Sequence, residues 1–330
     1  MKSLEGMRVL VTGGAGFIGS CIANDLVSHG AIVTVYDLPA SLQRIRTQFE
    51  KNGIQMVSGD IRDRNQLLSA CRDQDLVSHQ AAVLETTLTA AKKVCDVNIQ
   101  GSIEVFSAAA AAEVPRVIYA SSETVYGQAV TLPQPESHPT NPLHPYGVSK
   151  LAVEKLAQVY SANHGTKTIG FRYSNVYGPG EWFGRVLTVF LKRAHQGKPP
   201  VLWGGDQVRD FIYVTDIAQF HSLCAAKEQL PWDIFNVSTG IGTTIRELGL
   251  MMSDMFGLDP PMVENVGMGQ VSSESEGRMR GRVECKEMVL DNSRAKSLGW
   301  KPQVSLREGI MKQYNWLKEN PDAWNNLGIS

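Results

Sequence analysis

The chain has 330 residues and a formal net charge of −1 at pH 7, so its charge gives no reason to expect nucleic acid or an anionic membrane as a partner. Its five cysteines are scattered with no close pair, which indicates neither a disulfide framework nor a zinc site, and we expect no bound metal. No apolar run reaches the length of a signal peptide or a membrane span, so the sequence predicts a cytoplasmic protein.

The first predicted elements are a buried strand, a glycine-rich turn at residues 12–19 and a helix that continues from it. Glycines at this spacing permit a tight turn, a close approach of the backbone to a pyrophosphate and close packing of helix on strand. Gly16 and Gly19 take part in either register of this pattern. The third glycine is Gly14 in one register and Gly13 in the other. In both, the helix N-terminus presents backbone N–H groups to phosphates.

A second apolar strand at residues 31–36 ends at Asp37, eighteen residues after Gly19. A carboxylate in this place accepts a hydrogen bond from the adenosine ribose 2′-OH and repels a 2′-phosphate, which favours NAD over NADP. Arg44 and Arg46 follow further along the chain and leave NADP as the lesser alternative. A surface carboxylate that closes a strand is the other interpretation of Asp37.

Further strands are predicted at residues 54–57, 75–79, 116–120 and 167–171, and a helix with small side chains at residues 98–113. Strands that alternate with helix-length segments are typical of a parallel sheet with right-handed crossovers. We therefore predict an α/β fold, with a Rossmann-type doubly wound parallel sheet at residues 1–175. Residues 176–330 are predicted to form a smaller C-terminal α/β substrate-binding lobe, from which some segments return to the main sheet.

Tyr146 and Lys150 lie four residues apart where a helix is expected to begin, so both side chains project from one face. A phenol titrates near pH ~10 in water, but an ammonium about one helical turn away stabilises the phenolate. Tyr146 is therefore a candidate general base. A lone pair of this spacing is more often an ordinary aromatic with a solvated lysine behind it. Here the glycine turn and Asp37 upstream add weight to the catalytic interpretation.

Taken together, these residues resemble the extended short-chain dehydrogenase/reductase family, in its NAD-dependent nucleotide-sugar epimerase and dehydratase branch. The resemblance covers nearly the whole chain through ordered motifs at residues 12–19, 59–63, 79–82, 97–98, 120–127, 146–150, 172–179, 209–214 and 291–302. It implies a Rossmann enzyme of carbohydrate metabolism that forms a homodimer. Apolar helix faces at 94–112 and 151–160, and the pattern at 314–317, are candidates for the dimer contact, with burial inside the monomer as the alternative.

The resemblance also implies three groups of site residues. In catalysis, Ser122 would join Tyr146 and Lys150, and Glu123 is a candidate acid/base. The implied cofactor contacts are Gly13, Gly16, Phe17, Ile18, Gly19, Asp37, Asp60, Ile61, Ala81, Ala82, Asn98, Tyr146 and Lys150. The implied substrate contacts are Ser122, Thr124, Asn175, Arg209, Arg280 and Arg282. Arg280 and Arg282 are alternatives for a clamp on the diphosphate, and a solvated basic loop fits them equally well.

The family chemistry implied for these residues is oxidation at C4 of the sugar. Tyr146 would remove the proton from the 4-hydroxyl while NAD takes the hydride from C4, and Ser122 would hydrogen-bond the oxygen. If the transient 4-ketosugar rotates and takes the hydride back on its other face, the result is 4-epimerisation. A UDP-hexose or UDP-hexuronate is the substrate most expected, and the enzyme is then an isomerase.

Glu123 is a departure from the pattern of the 4-epimerases, which usually carry a small or neutral residue after the catalytic serine. The 4,6-dehydratases have an acidic pair in this place, of which the chain matches half, because Thr124 follows Glu123. A dehydratase that uses Glu123 as acid/base, a lyase, is therefore the alternative. The decarboxylase branch, whose glutamate falls at the position of Thr124, an NAD-consuming reductase and a catalytically inactive NAD-binding scaffold are further alternatives.

Overall fold

The computed structural model describes residues 4–181, 184–275, 278–281 and 283–325. The strands, in chain order, are β1 Arg8–Thr12, β2 Ile32–Asp37, β3 Gln55–Ser58, β4 Leu76–His79, β5 Arg116–Ser122, β6 Lys167–Tyr173, β7 Asn175–Tyr177, β8 Val201–Trp203, β9 Val208–Tyr213, β10 Ile234–Val237, β11 Gly242–Thr244, β12 Met262–Glu264 and β13 Glu287–Met288.

The α-helices, in chain order, are α1 Phe17–Ser28, α2 Pro39–Lys51, α3 Arg64–Cys71, α4 Ala91–Val94, α5 Gly101–Ala111, α6 Pro145–His164, α7 Val186–His195, α8 Val214–Ala226, α9 Ile245–Phe256, α10 Ser293–Ser297, α11 Leu306–Glu319 and α12 Asp322–Asn325. Short 3₁₀ turns lie at Leu88–Ala90 and Glu123–Val125, and a π-helix at Cys95–Gln100 joins α4 to α5. None of the helices in the described part of the chain is long and apolar enough to span a membrane.

Seven strands form one parallel sheet in the order β10-β6-β5-β4-β1-β2-β3. The inner strands are mostly buried on both faces, as expected for strands that helices cover on either side, whereas the edge strand β3 is largely exposed. The order reverses between β1 and β4, so the carboxyl ends of those strands flank a crevice. The predicted fold class, a doubly wound parallel sheet, is confirmed.

The helix predicted at residues 98–113 begins earlier than the sequence indicated. Helical structure runs from α4 through the π-helix into α5, because no glycine or proline interrupts residues 91–100. Helix α6 begins as expected beside Tyr146: Pro145 occupies the first turn, and the His144 side chain accepts a hydrogen bond from Gly147 N at 3.1 Å. It ends at Gly165, whose φ of 73° suits glycine.

The smaller lobe contains a second sheet, in which β9 pairs with β7, β11 and β13, and the parallel pair β8 and β12. A separate apolar core fills it, formed mainly by α7, α9 and α11 against β9. Strand β10 and helix α8 follow β7 in sequence, yet β10 is an edge strand of the main sheet and α8 packs on α1. The division of the chain near residue 175 stays a prediction.

Candidate functional site

A cavity of about 640 Å³ opens at the carboxyl ends of the parallel strands. Residues at or just beyond the ends of β1, β2, β4, β5 and β6 line it, together with the start of α6. Ligands of open α/β sheets bind at this edge, next to the point where the strand order reverses. The cavity contains all the implied cofactor contacts except Asn98, and all four implied catalytic residues.

The glycine turn forms one wall of the cavity. Gly13, Gly16 and Gly19 line it, whereas a Cβ on Gly14 would meet the Val35 side chain at 2.7 Å, on the core side. Gly13 has φ of 68°, and a Cβ there would come within 2.5 Å of the Ala81 backbone. The geometry therefore favours the register that uses Gly13. No side chain of the described residues caps the N-terminus of α1, so its first N–H groups face the position expected for an anion.

Asp37 closes β2 at the far end of this wall. Its carboxylate accepts hydrogen bonds from Ala15 N at 2.9 Å and Leu38 N at 2.7 Å. Burial raises the pKa of Asp37, and those two bonds oppose the shift. The side chain is thus fixed in place and still lines the cavity, as a contact to an adenosine ribose requires. Arg44 also lines the cavity and lowers the pKa of Asp37 by its charge.

The residues implied as contacts to the adenine and the middle of the cofactor all line the cavity. Asp60 and Ile61 line the cavity beyond β3, and Ala81 and Ala82 line it beyond β4. The Asp60 carboxylate is paired with Arg62 at 2.6 Å, and this bond lowers the pKa of Asp60. Ile61 and the two alanines therefore supply apolar wall, while Asp60 supplies an ionised rim.

Asn98 does not line the cavity, and its contact with the cofactor stays a prediction. Its Oδ1 accepts from Val83 N at 2.8 Å, and its Nδ2 donates to Val83 O at 3.0 Å and to Ser149 Oγ at 2.9 Å. The side chain is 1% exposed. Asn98 thus joins the loop after Ala82 to helix α6, and we assign it as a positioning residue.

Ser122 ends β5 and caps the 3₁₀ turn that follows. Its Oγ accepts hydrogen bonds from Thr124 N at 3.2 Å and from Thr124 Oγ1 at 3.0 Å. Because these two bonds use the lone pairs of the oxygen, the Ser122 proton is available to donate. Its bond with the Tyr146 hydroxyl favours the phenolate. Thr124, an implied substrate contact, lines the cavity and orients Ser122.

Tyr146 and Lys150 both line the cavity, but their electrostatics differ from the sequence expectation. Burial raises the pKa of Tyr146 to about 12, against the charge of Arg185 and the bond with Ser122, which lower it. The Lys150 Nζ donates to Ala120 O at 2.8 Å and lies 5.7 Å from the centre of the tyrosine ring. Burial lowers the pKa of Lys150 to about 8.

Arg185 is the cation that sequence analysis missed. It precedes α7, lines the cavity and lowers the pKa of Tyr146, of Glu123 and of Glu181. No motif marks it, because it stands 39 positions after Tyr146 in a stretch without periodic pattern. Only the fold brings its guanidinium near the phenol.

Glu123 is 5% exposed and lines the cavity beside Ser122. Its Oε1 accepts from Asn175 Nδ2 at 2.7 Å, and its Oε2 has no hydrogen-bond partner among the described residues. Burial raises the pKa of Glu123 well above its usual range, although Arg209 and Arg185 act in the opposite direction. A neutral carboxyl can donate a proton, and the carboxylate that remains can accept one. The Asn175 amide, implied for the diphosphate, here donates to Glu123.

The implied diphosphate clamp lies next to the cavity without lining it. Arg209 donates to Val208 O at 2.8 Å and to Lys286 O at 3.2 Å, and Arg280 donates to Val266 O at 2.8 Å. Both guanidiniums also face the carboxylate of Glu284. Arg282, the alternative to Arg280, lies outside the described residues.

Comparison with known proteins finds similarity along nearly the whole chain. The family model described as the NAD dependent epimerase/dehydratase family matches residues 9–238. A protein of Methanocaldococcus jannaschii, provisionally named UDP-glucose 4-epimerase, is 34% identical, over 94% of this chain and 99% of its own. Human dTDP-D-glucose 4,6-dehydratase is 30% identical, over 97% of this chain and 92% of its own.

Among solved structures, the chain is similar to UDP-glucose 4-epimerase of Thermus thermophilus in complex with NAD. The two are 31% identical and superpose with a TM-score of 0.80, over 94% of this chain and 99% of the other. The similarity therefore extends through both the main sheet and the smaller lobe.

Proposed function

The chain belongs to the NAD-dependent epimerase/dehydratase family, and we propose that it is a 4-epimerase of a nucleotide-diphosphate sugar. A UDP-hexose or UDP-hexuronate is the substrate that we put first. The observation that carries this proposal is that Ser122, Tyr146 and Lys150 line the same cavity as the glycine turn and Asp37. The family is NAD-dependent, and the Thermus thermophilus relative was solved with NAD.

The residues present fit NAD. The uncapped N-terminus of α1 suits a pyrophosphate, and the Asp37 carboxylate at the end of β2 suits an unmodified ribose and opposes a 2′-phosphate. When bound, NAD supplies reversible hydride transfer at carbon. We assign the other implied cofactor contacts, Ile61, Ala81 and Ala82, to the walls that hold it.

Ser122 and Tyr146 carry out the proton transfer from the sugar hydroxyl. The Ser122 hydroxyl, oriented by Thr124, is placed to donate to the substrate oxygen or to Tyr146. Tyr146 takes the proton, and the charge of Arg185 favours its phenolate. Lys150, held by Ala120 O, is left for contact with the cofactor ribose that the resemblance implies.

A nucleotide-sugar dehydratase is the second candidate, because Glu123 brings a buried carboxyl into the cavity with Oε2 unpaired among the described residues. Elimination of water from a 4-ketosugar needs an acid/base beyond Tyr146, and a carboxyl of raised pKa can serve. The similarity to human dTDP-D-glucose 4,6-dehydratase supports this candidate. Simple 4-epimerisation requires no proton transfer by Glu123.

The test is a product analysis. The purified protein is incubated with UDP-, GDP-, CDP- and dTDP-sugars, and products are identified by mass and NMR. We expect an epimer of unchanged mass from a UDP-sugar, and none from Tyr146→Phe, which keeps the ring and removes the ionisable oxygen. A product lighter by one water would support the dehydratase instead, and stoichiometric consumption of NADH would identify a reductase. Absence of any product would favour the inactive scaffold.

We also propose a homodimer that resides in the cytoplasm. Helix α6 exposes Val159, at 58%, on the segment that the sequence named for the contact. The pattern at residues 314–317 does not support the dimer: Tyr314 packs on Phe256, with ring centres 4.7 Å apart, and Trp316 packs on the core of the smaller lobe.

A further inference from the structure

Arg209 and Arg280 face one carboxylate, that of Glu284. Arg280 donates from Nε and Nη2 to Glu284 Oε2, at 3.1 and 2.7 Å. Arg209 Nη2 lies 3.8 Å from Glu284 Oε1. Gln207 Nε2 adds a further donor to Oε2, at 3.2 Å. A single anion is therefore held between two guanidiniums and an amide.

Both guanidiniums are fixed by other bonds, which leave one side of each for an anion. Nη1 of Arg209 is used by Val208 O and Lys286 O, and Nη1 of Arg280 by Val266 O. The two side chains are only 15% and 18% exposed, so neither swings freely in water. Fixed guanidinium edges of this kind suit the oxygens of a phosphate as well as those of a carboxylate.

This cluster adjoins the catalytic cavity. Burial raises the pKa of the Cys285 thiol, Arg209 lowers it, and Glu123 and Glu284 raise it further. Glu123, which lines the cavity, itself feels the charge of Arg209. Arg209 is also next to the cavity by geometry, because its partner in the pairing of β9 with β13 is Met288, which lines the cavity.

We propose that Glu284 is an internal occupant of the anion site formed by Arg209 and Arg280, and that the diphosphate of a nucleotide must displace it to bind. This inference rests on the proposed function, because that function supplies the competing diphosphate. Two consequences follow. Glu284 weakens the binding of every anionic ligand at this site, and it selects ligands whose charge is large enough to replace a carboxylate.

Glu284→Gln tests the competition, because glutamine keeps the size of the side chain and removes its charge. An amide oxygen holds a guanidinium more weakly than a carboxylate does. We expect UDP to bind Glu284→Gln about tenfold more tightly than the unmodified protein, equivalent to about 1.4 kcal/mol. Glu287→Gln is the matched control: it removes one negative charge from the adjacent strand β13, where Glu287 forms no ion pair with either arginine in the described structure, and should change the dissociation constant by less than about twofold.

The experiment is calorimetric titration of the three proteins with UDP and, separately, with inorganic pyrophosphate, at one fixed ionic strength. Tighter binding of either ligand to Glu284→Gln alone supports the proposal. Pyrophosphate that responds in this way while UDP binds to no variant would leave the anion site standing and reject a UDP-sugar as the substrate. Equal or weaker binding of both ligands to Glu284→Gln would overturn the proposal, since the carboxylate would then assist the ligand or be irrelevant to it. Absence of binding to all three proteins would overturn it too.

Discussion

Replacing Glu123 by glutamine separates the two candidate reactions. The substitution keeps the shape of the side chain, and the amide oxygen can still accept from Asn175 Nδ2, now at 2.7 Å from Oε1. Burial raises the pKa of Glu123 and so favours its neutral form, which glutamine matches in charge. What it removes is the capacity to give and take a proton.

The expected cost in stability is small. The new NH₂ group takes the place of Oε2, which has no partner in the described structure. A buried donor without a partner costs about 1–3 kcal/mol, and we expect the lower end because this position faces the cavity.

The two reactions predict different rates. In a 4-epimerase, Glu123→Gln should keep the rate within about tenfold, because Ser122 and Tyr146 suffice. In a dehydratase, loss of a general acid/base should lower the rate by about 10²–10⁴-fold. The assay is single-turnover absorbance of NADH together with the mass of the product. NADH that accumulates on the variant, with loss of a dehydrated product, would refute simple epimerisation; a near-normal rate with unchanged mass would refute the dehydratase.

Three further predictions concern the cofactor, the buried lysine and the assembly. Asp37→Ala should weaken NAD binding by about tenfold or more and relax the discrimination against NADP, as a lost bond to a charged group implies; calorimetric binding of NADP tighter than NAD to the unmodified protein would contradict the assignment. Burial of the Lys150 ammonium costs stability below about pH 8, and this cost fades as pH rises towards the ordinary lysine value of 10.5, because the folded chain has then released a proton that the unfolded chain still binds. Lys150→Met should therefore remove this rise in the free energy of unfolding with pH. Chemical denaturation at stepped pH measures it, and identical slopes for both proteins would reject it. Light scattering at micromolar concentration should give a dimer mass for the unmodified chain and a shift towards the monomer for Val159→Arg, whereas a monomer mass for the unmodified chain would reject the dimer.

Much of the main sheet was predictable because short stretches of sequence mark each of its strands and turns. A strand buried on both faces reads as a continuous apolar run, and glycine marks the turn into the following helix. The choice between Gly13 and Gly14 as the third glycine of the turn could not be made from the neighbouring sequence. It depends on Val35, which occupies the space behind Gly14 only because β2 lies next to β1 in the sheet.

The electrostatics of the site could not be predicted from the sequence either, because they also depend on contacts between residues far apart in the chain. Helical spacing correctly placed Tyr146 and Lys150 on the wall of one cavity. It could not show that the Lys150 ammonium is held by Ala120 O, a residue of β5, or that the charge of Arg185 lowers the pKa of the phenol. Likewise, Glu284 stands 75 positions after Arg209, and no spacing rule relates them. Charges that meet through tertiary contacts shift pKa values without leaving a pattern in the sequence.

Glu123 departs from the sequence pattern of the 4-epimerases, and its burial also costs free energy. Burying a carboxyl with one oxygen unpaired is unfavourable, and a small residue in its place would avoid the cost. Asn175 offsets only part of it, through Oε1. Native chains break a local rule chiefly at functional sites, where the group does something that a satisfied one cannot. A half-satisfied carboxyl beside Ser122, whose neutral form burial favours, is suited to bind a sugar hydroxyl or to protonate one. For that reason the identity of the reaction depends on Glu123 more than on the Ser122, Tyr146 and Lys150 set that both candidate reactions share.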